Sequence, residues 1–456
     1  MDNNFPQSFI FGVSDADLQV IGEANVKMEE SEQSMWQYFS VHKGIDTPAH
    51  GIDRYNKWQE DVLIMKDMGL KHYRTSVAMN RILQKNGSIN FEALKWYKKY
   101  FSYLKKQDIH IYTTLYHWEL PQFLAAKGGW TNRETISWFQ KHAKAVVENL
   151  GEYIDEFFLL NEPWVCSFLA YYHGIHAPGE HSLKLTLQAM HNMLVAQGVV
   201  CRDILSIDKN AKVGTVMVLH PSYSLTQKKE DILAAKYYDE NRNIWFMDAM
   251  YLGKYPELMM KKYGDNLPHI EDGDMEKIKI GHLLYTLGIN YYHGQIVSYD
   301  SESELGFKQH TLPGSITNDL DWPVVIPPVY QQGLYDILNQ IYYQYKSHGL
   351  KRIYVTENGF AQETQWNGKD KIIDDHRRIN YLYNHIIQVQ DAIKKGVPVK
   401  GYFVWTLMDN YEWDHGYSPR SSFGLIHVDR KTMKRVWKRS AHWYKNVINS
   451  RMVTLN

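Results

Sequence analysis

One pattern occurs eight times along the 456-residue chain: a short run of β-branched and aromatic residues, then a stretch with apolar residues at three- and four-residue spacing. The runs are FIFGV (9–13), GLKHYRTS (69–76), DIHIYTTLY (108–116), IDEFFLLN (154–161), AKVGTVMVL (211–219), LYTLGINYY (284–292), LKRIYVTE (350–357) and VKGYFVWTL (399–407). Most begin and end on a polar residue around an apolar centre, as strands buried on both faces of a parallel sheet do. Helical stripes lie between them. Phe91, Leu94, Tyr97, Phe101 and Leu104 form one. Ile136, Phe139, Ala143, Val146 and Leu150 form a second, behind Asn132 as a candidate cap, and Leu334, Ile337, Leu338, Ile341 and Tyr345 a third, stopped by Gly349. Such alternation predicts an α/β fold with a parallel sheet. A length of about 150 residues per domain would suggest three domains, but a single (β/α)8 TIM barrel with extended βα loops takes up residues 1–456 as one. An open doubly wound sheet is the alternative; no G-x-G-x-x-G follows an early strand to support it. The polar segments 176–190, 222–243 and 299–330 are expected to be loops and insertions.

Charge narrows the function. With 51 Lys and Arg against 51 Asp and Glu, the chain offers neither the basic footprint of a nucleic-acid binder nor an arm for an anionic membrane. Two cysteines, Cys166 and Cys201, rule out a disulfide framework. The N-terminal MDNNFPQSF lacks the basic and apolar regions of a signal peptide, and no apolar run approaches the ~20 residues of a membrane span, so a cytoplasmic location is expected. His173 and His176 have a metal-like spacing, but no further ligands cluster with them, and the 21 histidines contain no His-x-His or His-Glu-x-x-His. They are expected to be an ordinary loop pair, and neither metal nor cofactor is expected. The 14 Trp, 33 Tyr and 16 Phe suit either a core or a surface for flat apolar ligands.

In such a barrel, chemistry gathers at the C-terminal ends of the strands. The fourth run ends in Asn161-Glu162-Pro163 and the seventh in Thr356-Glu357-Asn358. Two carboxyls facing each other across a sugar ring are what glycoside hydrolysis needs: one protonates the leaving oxygen, the other attacks the anomeric carbon or activates water. The remaining strand ends carry Arg74, His117-Trp118, Tyr291-Tyr292 and Trp405, with Glu412-Trp413 in the loop beyond. These side chains orient a carboxylate, bind hydroxyls and stack on sugar faces.

The chain resembles the β-glucosidase family of retaining glycosidases, glycoside hydrolase family 1, over nearly its whole length. FPQSFIFG (5–12), LYHWELPQFL (115–124), GGWTNRE (128–134), LLNEP (159–163), HAPG (176–179), WFMD (245–248), LGINYY (287–292), YVTENGF (354–360) and GYFVWTLMDNYEWDHGY (401–417) carry the likeness, in order. The resemblance implies a metal-independent retaining β-glycosidase acting on the terminal sugar of small unphosphorylated glycosides. Glucose is foremost; galactose and fucose are alternatives. It implies Glu162 as acid/base and Glu357 as nucleophile, with Arg74 and Tyr292 stabilising the nucleophile's charge. Retention places the two carboxyl groups about 5–5.5 Å apart. Gln19, His117, Trp118 and Asn161 would bind ring hydroxyls, Trp405 would be the floor under the sugar, and Glu412 and Trp413 would contact the 4- and 6-hydroxyls. An anionic Glu412 would repel a 6-phosphate. A variant that transfers the sugar to an alcohol, and a silent sugar-binding protein of the same fold, are the alternatives.

Several positions depart from the family pattern: Phe11, Ile21 in place of a glutamate, Met79-Asn80-Arg81, Gln331-Gln332 before Gly333, and two extra residues within Arg420–Leu425. All bear on the leaving-group side and the entrance.

Overall fold

The computed structural model describes residues 4–22, 28–325 and 332–455; Gln331 lies outside them. Each of the eight runs forms a strand: β1 (Ile10–Ser14), β2 (His72–Ser76), β3 (His110–Tyr116), β4 (Glu156–Asn161), β5 (Val213–Val218), β6 (Thr286–Asn290), β7 (Ile353–Asn358) and β8 (Val399–Trp405). They pair in parallel in chain order, and β8 closes on β1 through Ser14 opposite Trp405. The fold is thus the expected closed (β/α)8 barrel.

The barrel interior is filled rather than hollow. Ile10, Tyr112, Phe158, Val216, Tyr354 and Phe403 meet in one cluster of stacked layers, contributed by β1, β3, β4, β5, β7 and β8. Glycine makes room for these rings. A Cβ on Gly12 would lie 2.5 Å from the Phe403 ring, so this position accepts no larger residue without moving the layer. Above it, the register slips in two strands. Alternation from the inward Tyr354 would turn Glu357 toward the helices. The pairing with β6 shifts between Val355 and Glu357, and Glu357 comes to sit beside Asn290. A similar shift between Phe158 and Asn161 in β4 re-aims Asn161.

The helical stripes pack around this barrel as α1 (Phe91–Lys106), α2 (Glu134–Leu150) and, after the insertions, α4 (Gly333–Tyr345), with α3 (Leu183–Ile207) between. Phe91 is the exception in its stripe. It is 65% exposed, because the first residue of α1 precedes the turn where the helix meets the barrel; Tyr100 is buried instead. The cap position of α2 is Arg133, which makes no side-chain cap bond; Asn132, one residue earlier, accepts the Glu134 N–H at 2.9 Å. The polar segments hold more regular structure than expected. α3 begins within 176–190, 222–243 contains a helix at Lys229–Asp239, and 299–330 contains short strands at Phe307–His310, Ile316–Thr317 and Pro323–Val325. In the second of these only Asp231, Ala234 and Tyr238 are buried, too few to leave an apolar stripe in the sequence.

Between the barrel and its outer layer lies a fully buried ion network. Asp61 accepts Arg54 Nε at 2.6 Å and Arg435 Nε at 2.9 Å, and Arg54 also reaches Asp15 and the Tyr73 hydroxyl. Removing one partner of such a group leaves buried charge uncompensated. Asp61→Ala is expected to cost roughly 3–5 kcal/mol, read as a lowered denaturant midpoint, with loss of Arg435 and Arg54 anchoring at once. Among the described residues no helix is long and apolar enough to cross a membrane, and no three His, Cys, Asp or Glu cluster as metal ligands. Both cysteines are free.

Candidate active site

A cavity of about 300 Å³ lies at the C-terminal ends of the strands. Eight of the eleven residues singled out from the sequence line it: His117, Trp118, Glu162, Tyr292, Glu357, Trp405, Glu412 and Trp413. Gln19, Arg74 and Asn161 are fully buried behind that wall, Arg74 donating to Asn161 and Gln19 to the Tyr411 carbonyl.

Arg74 rises from β2 over the Phe158 ring and donates to Glu357 Oε1 at 2.6 Å and to Asn161 Oδ1 at 2.7 Å. The Tyr292 hydroxyl donates to Glu357 Oε2 at 2.8 Å. Both oxygens of Glu357 are therefore held by donors suited to an anion. Glu162 has no cation bonded to it. Its Oε1 accepts one hydrogen bond, from Asn290 Nδ2 at 2.6 Å, and the same amide also reaches Asn161. Asn290, the last residue of β6, precedes the Tyr291-Tyr292 pair that marks this strand end in the sequence, and nothing in the chain singles it out.

Environment separates the two carboxyls. Burial, and then the charge of Glu357, push Glu162 up to about 8. Burial raises Glu357 as well, which the expectation of a simply ionised nucleophile did not include; Arg74 and then Tyr292 pull it back. The proton of the pair therefore belongs on Glu162, the carboxyl without a cation. Activity that needs protonated Glu162 falls as pH rises through that group's value. The alkaline limb of kcat/KM is expected near pH 8, with a loss of about tenfold for each further pH unit, measured on an aryl glycoside over pH 5–10.

The hydroxyl-binding candidates keep unused polar atoms. Gln19 Nε2 donates to the Tyr411 carbonyl at 2.6 Å, whereas its buried Oε1 has no partner. Asn161 Nδ2 donates to His117 Nε2 at 3.1 Å, which puts the imidazole proton on Nδ1, and that atom too is buried and unpartnered. Burial and the nearby Arg74 keep His117 neutral. One free acceptor and one free donor, each costly to leave unpaired, match a polyhydroxylated ligand.

Aromatic rings form the wall around them. Trp118 and Trp413 lie with centroids 4.5 Å apart, and His117 stacks against Trp405 at 5.7 Å. Trp118 donates Nε1 to the Asn161 carbonyl at 3.0 Å. Two side chains of the site stand on left-handed backbone: Trp118 has φ 82° and Glu162 φ 50°, values worth roughly 1–3 kcal/mol each in a non-glycine residue and tolerated where they aim functional side chains.

Two expectations are corrected. Glu412 is not simply anionic: burial, then Asp414, Glu357 and Glu162, push its carboxyl well above the usual range. Repulsion of a phosphate by its charge therefore loses its basis. His173 and His176 are not bland loop residues, since both line the cavity, and His176 packs on Trp118 with its Nε2 3.8 Å from Asp414. Also unforeseen in the wall are Trp164, His220, Arg242, His293, Trp322 and Phe423. His220 and His293 come directly after the fifth and sixth runs, Trp164 and Arg242 lie in helical segments, and Trp322 and Phe423 come from loops.

The family model described as Glycosyl hydrolase family 1 matches residues 1–453. Beta-glucosidase A of Thermotoga maritima is 35% identical over 454 residues, 98% of each chain. A 6-phospho-beta-galactosidase of Clostridium acetobutylicum is 33% identical over 473 residues, 98% of this chain and 97% of that one. The structure of beta-glucosidase from Thermotoga maritima in complex with deoxynojirimycin superposes with a TM-score of 0.92 at 33% identity, covering 99% of this chain and all of the other.

Proposed function

The chain belongs to glycosyl hydrolase family 1 and is an O-glycoside hydrolase, and from that premise we propose that it removes the terminal non-reducing β-linked sugar of small unphosphorylated glycosides by double displacement. The whole chain is read as one barrel domain serving that reaction, with glucose as the foremost sugar. The unequal setting of the two glutamates carries the reading. Glu357, fixed by Arg74 and Tyr292, attacks the anomeric carbon while Glu162 gives its proton to the departing oxygen. Once Glu357 is esterified its charge is gone, the upward push on Glu162 weakens, and Glu162 becomes the base that takes a proton from incoming water. Gln19 Oε1 accepts from a sugar hydroxyl, the His117 Nδ1–H donates to one, and Trp405 supports the ring. A protonated Glu412 can donate as well as accept at the 4- and 6-positions.

Preference for an unphosphorylated sugar rests on what flanks Glu412. The charges that act on it are the carboxylates Asp414, Glu357 and Glu162, and no Lys or Arg is among them. A 6-phosphate would meet the bulk of Trp413 and the charge of Asp414, the neighbour of Glu412 that stays anionic. A panel of 4-nitrophenyl β-glycosides with gluco, galacto and fuco configuration, and the 6-phosphates of the first two, decides the matter by kcat/KM. The reading expects the unphosphorylated glucoside to lead; preference for a 6-phosphate, or no turnover of any member, would overturn it.

A transferring variant has support of its own in Trp164, Trp322 and Phe423, apolar rings in the cavity wall that would hold an alcohol acceptor. Product analysis with added alcohol separates transfer from hydrolysis.

A further inference from the structure

Resting on the glycosidase reading, we propose that the leaving-group side of this site is built for an aglycone bearing an oxyanion, a carboxylate or a sulfonate-like group, which Arg242 binds. Six arginines of the described chain are buried, and five of them have a carboxylate partner: Arg54 with Asp15 and Asp61, Arg74 with Glu357, Arg81 with Asp17, Arg378 with Asp375 and Arg435 with Asp61. Arg242 is the sixth. It is 8% exposed, lines the cavity, and forms no ion pair with any described residue. Its guanidinium carbon lies over Trp164, 3.7 Å from the ring centroid. Its Nη2 faces only His220 Nε2 at 3.3 Å, and its Nε is buried without a partner.

A guanidinium stays charged, so this cation is desolvated on one face by an aromatic ring and offered to the cavity on another. The surrounding groups do not neutralise it. His173, His220 and His293 are kept neutral by burial, with the field of Arg242 itself contributing. The one acid that acts on Arg242 is Glu162, and in the state ready to protonate a leaving group that carboxyl is uncharged.

Position fixes which side of the site the cation serves. Arg242 is held over Trp164, two residues beyond Glu162 in the chain, whereas Glu412, which would touch the far end of the sugar, comes from the loop after β8. Glu162 stands at the bond being broken, on the side of the departing group. An anion there gains a charge-assisted and planar partner that is already fixed by Trp164.

The test compares wild type with Arg242→Gln on phenyl β-glucosides carrying a 3- or 4-carboxylate, a 4-sulfonate, or a 4-carboxamide. The neutral carboxamide makes the better leaving group than the carboxylate, so intrinsic reactivity runs against the expected preference. In wild type the ratio of kcat/KM for the better carboxylate over the carboxamide is expected to exceed one, and Arg242→Gln is expected to lower that ratio on the order of 10- to 100-fold. The sulfonate arm shows whether charge alone or the flat carboxylate is preferred; activity on either anion above the amide supports the proposal. A wild-type ratio at or below one for both anions would overturn it, even if the variant failed to fold. Equal losses on charged and neutral substrates would also overturn it, because they would mean that Arg242 acts only by tuning Glu162. If no member is turned over at all, the glycosidase reading fails, which is a different result.

Discussion

Replacing Glu357 with alanine is expected to cut kcat/KM for 4-nitrophenyl β-glucoside by on the order of 10⁴-fold or more, the loss of an attacking group for which nothing nearby can substitute. Such a factor corresponds to about 5.5 kcal/mol of transition-state stabilisation. The reason is geometric as well as chemical. Arg74 and Tyr292 hold both oxygens of this carboxylate, so its position is set by groups that have no nucleophile of their own to offer. Azide supplied to the variant would enter the vacated space and attack from the same face, giving a glycosyl azide of inverted configuration. Detecting that product ties the loss to the missing nucleophile rather than to damaged folding. Glu357→Gln, which keeps the hydrogen-bonding shape beside buried Arg74, serves as the second variant. If either protein kept more than about a tenth of wild-type activity, Glu357 would not be the nucleophile.

Glu162→Gln is expected to behave differently, because its effect depends on what is leaving. A 2,4-dinitrophenolate departs without a proton, and kcat/KM for its glucoside should fall less than about tenfold. An alkyl glucoside needs protonation of its oxygen and should lose roughly 10²–10⁴-fold, the range general acid catalysis supplies. Glutamine is chosen because it preserves the contact with Asn290 Nδ2 through its carbonyl oxygen. The alkaline limb near pH 8 should vanish with the ionising group. Equal losses on both substrates, or an unchanged limb, would assign that proton to another residue.

The strands were legible because each is buried on both faces, and burial leaves continuous apolar runs whose ends are marked by polar residues. Six of the eight barrel strands fall within the runs read from the sequence, and the other two pass the end of theirs by one residue, Ser14 and Asn358. The catalytic candidates were legible for the same reason, since a barrel puts its chemistry where those runs end. Residues supplied by the insertions were not. Arg242 stands on the helical turn Glu240–Ile244, within a polar stretch with no apolar periodicity, so nothing in the chain distinguished it from a solvated charge. His173 and His176 carried a spacing that suggested metal or nothing, when what they contribute is cavity wall. Glu412 looked like an anion because it is a glutamate; its burial beside three other carboxyls is a fact of assembly.

What the sequence by itself determined, then, is the eightfold alternation, the closed parallel barrel it implies, and the two glutamates at the ends of the fourth and seventh strands. Hydrophobic periodicity and motif order are local properties, and they survive being read one residue after another. Only the tertiary structure decided which way those glutamates face and how they differ. The register slip between Val355 and Glu357 turns the nucleophile candidate into the mouth, and left-handed backbone at Glu162 aims its partner. Arg74, 283 residues from Glu357 in sequence, reaches it and not Glu162. Charge and desolvation act through space, so the division of one proton between two buried carboxyls, and the guanidinium of Arg242 in the cavity wall without a carboxylate partner among the described residues, exist only once the chain has closed.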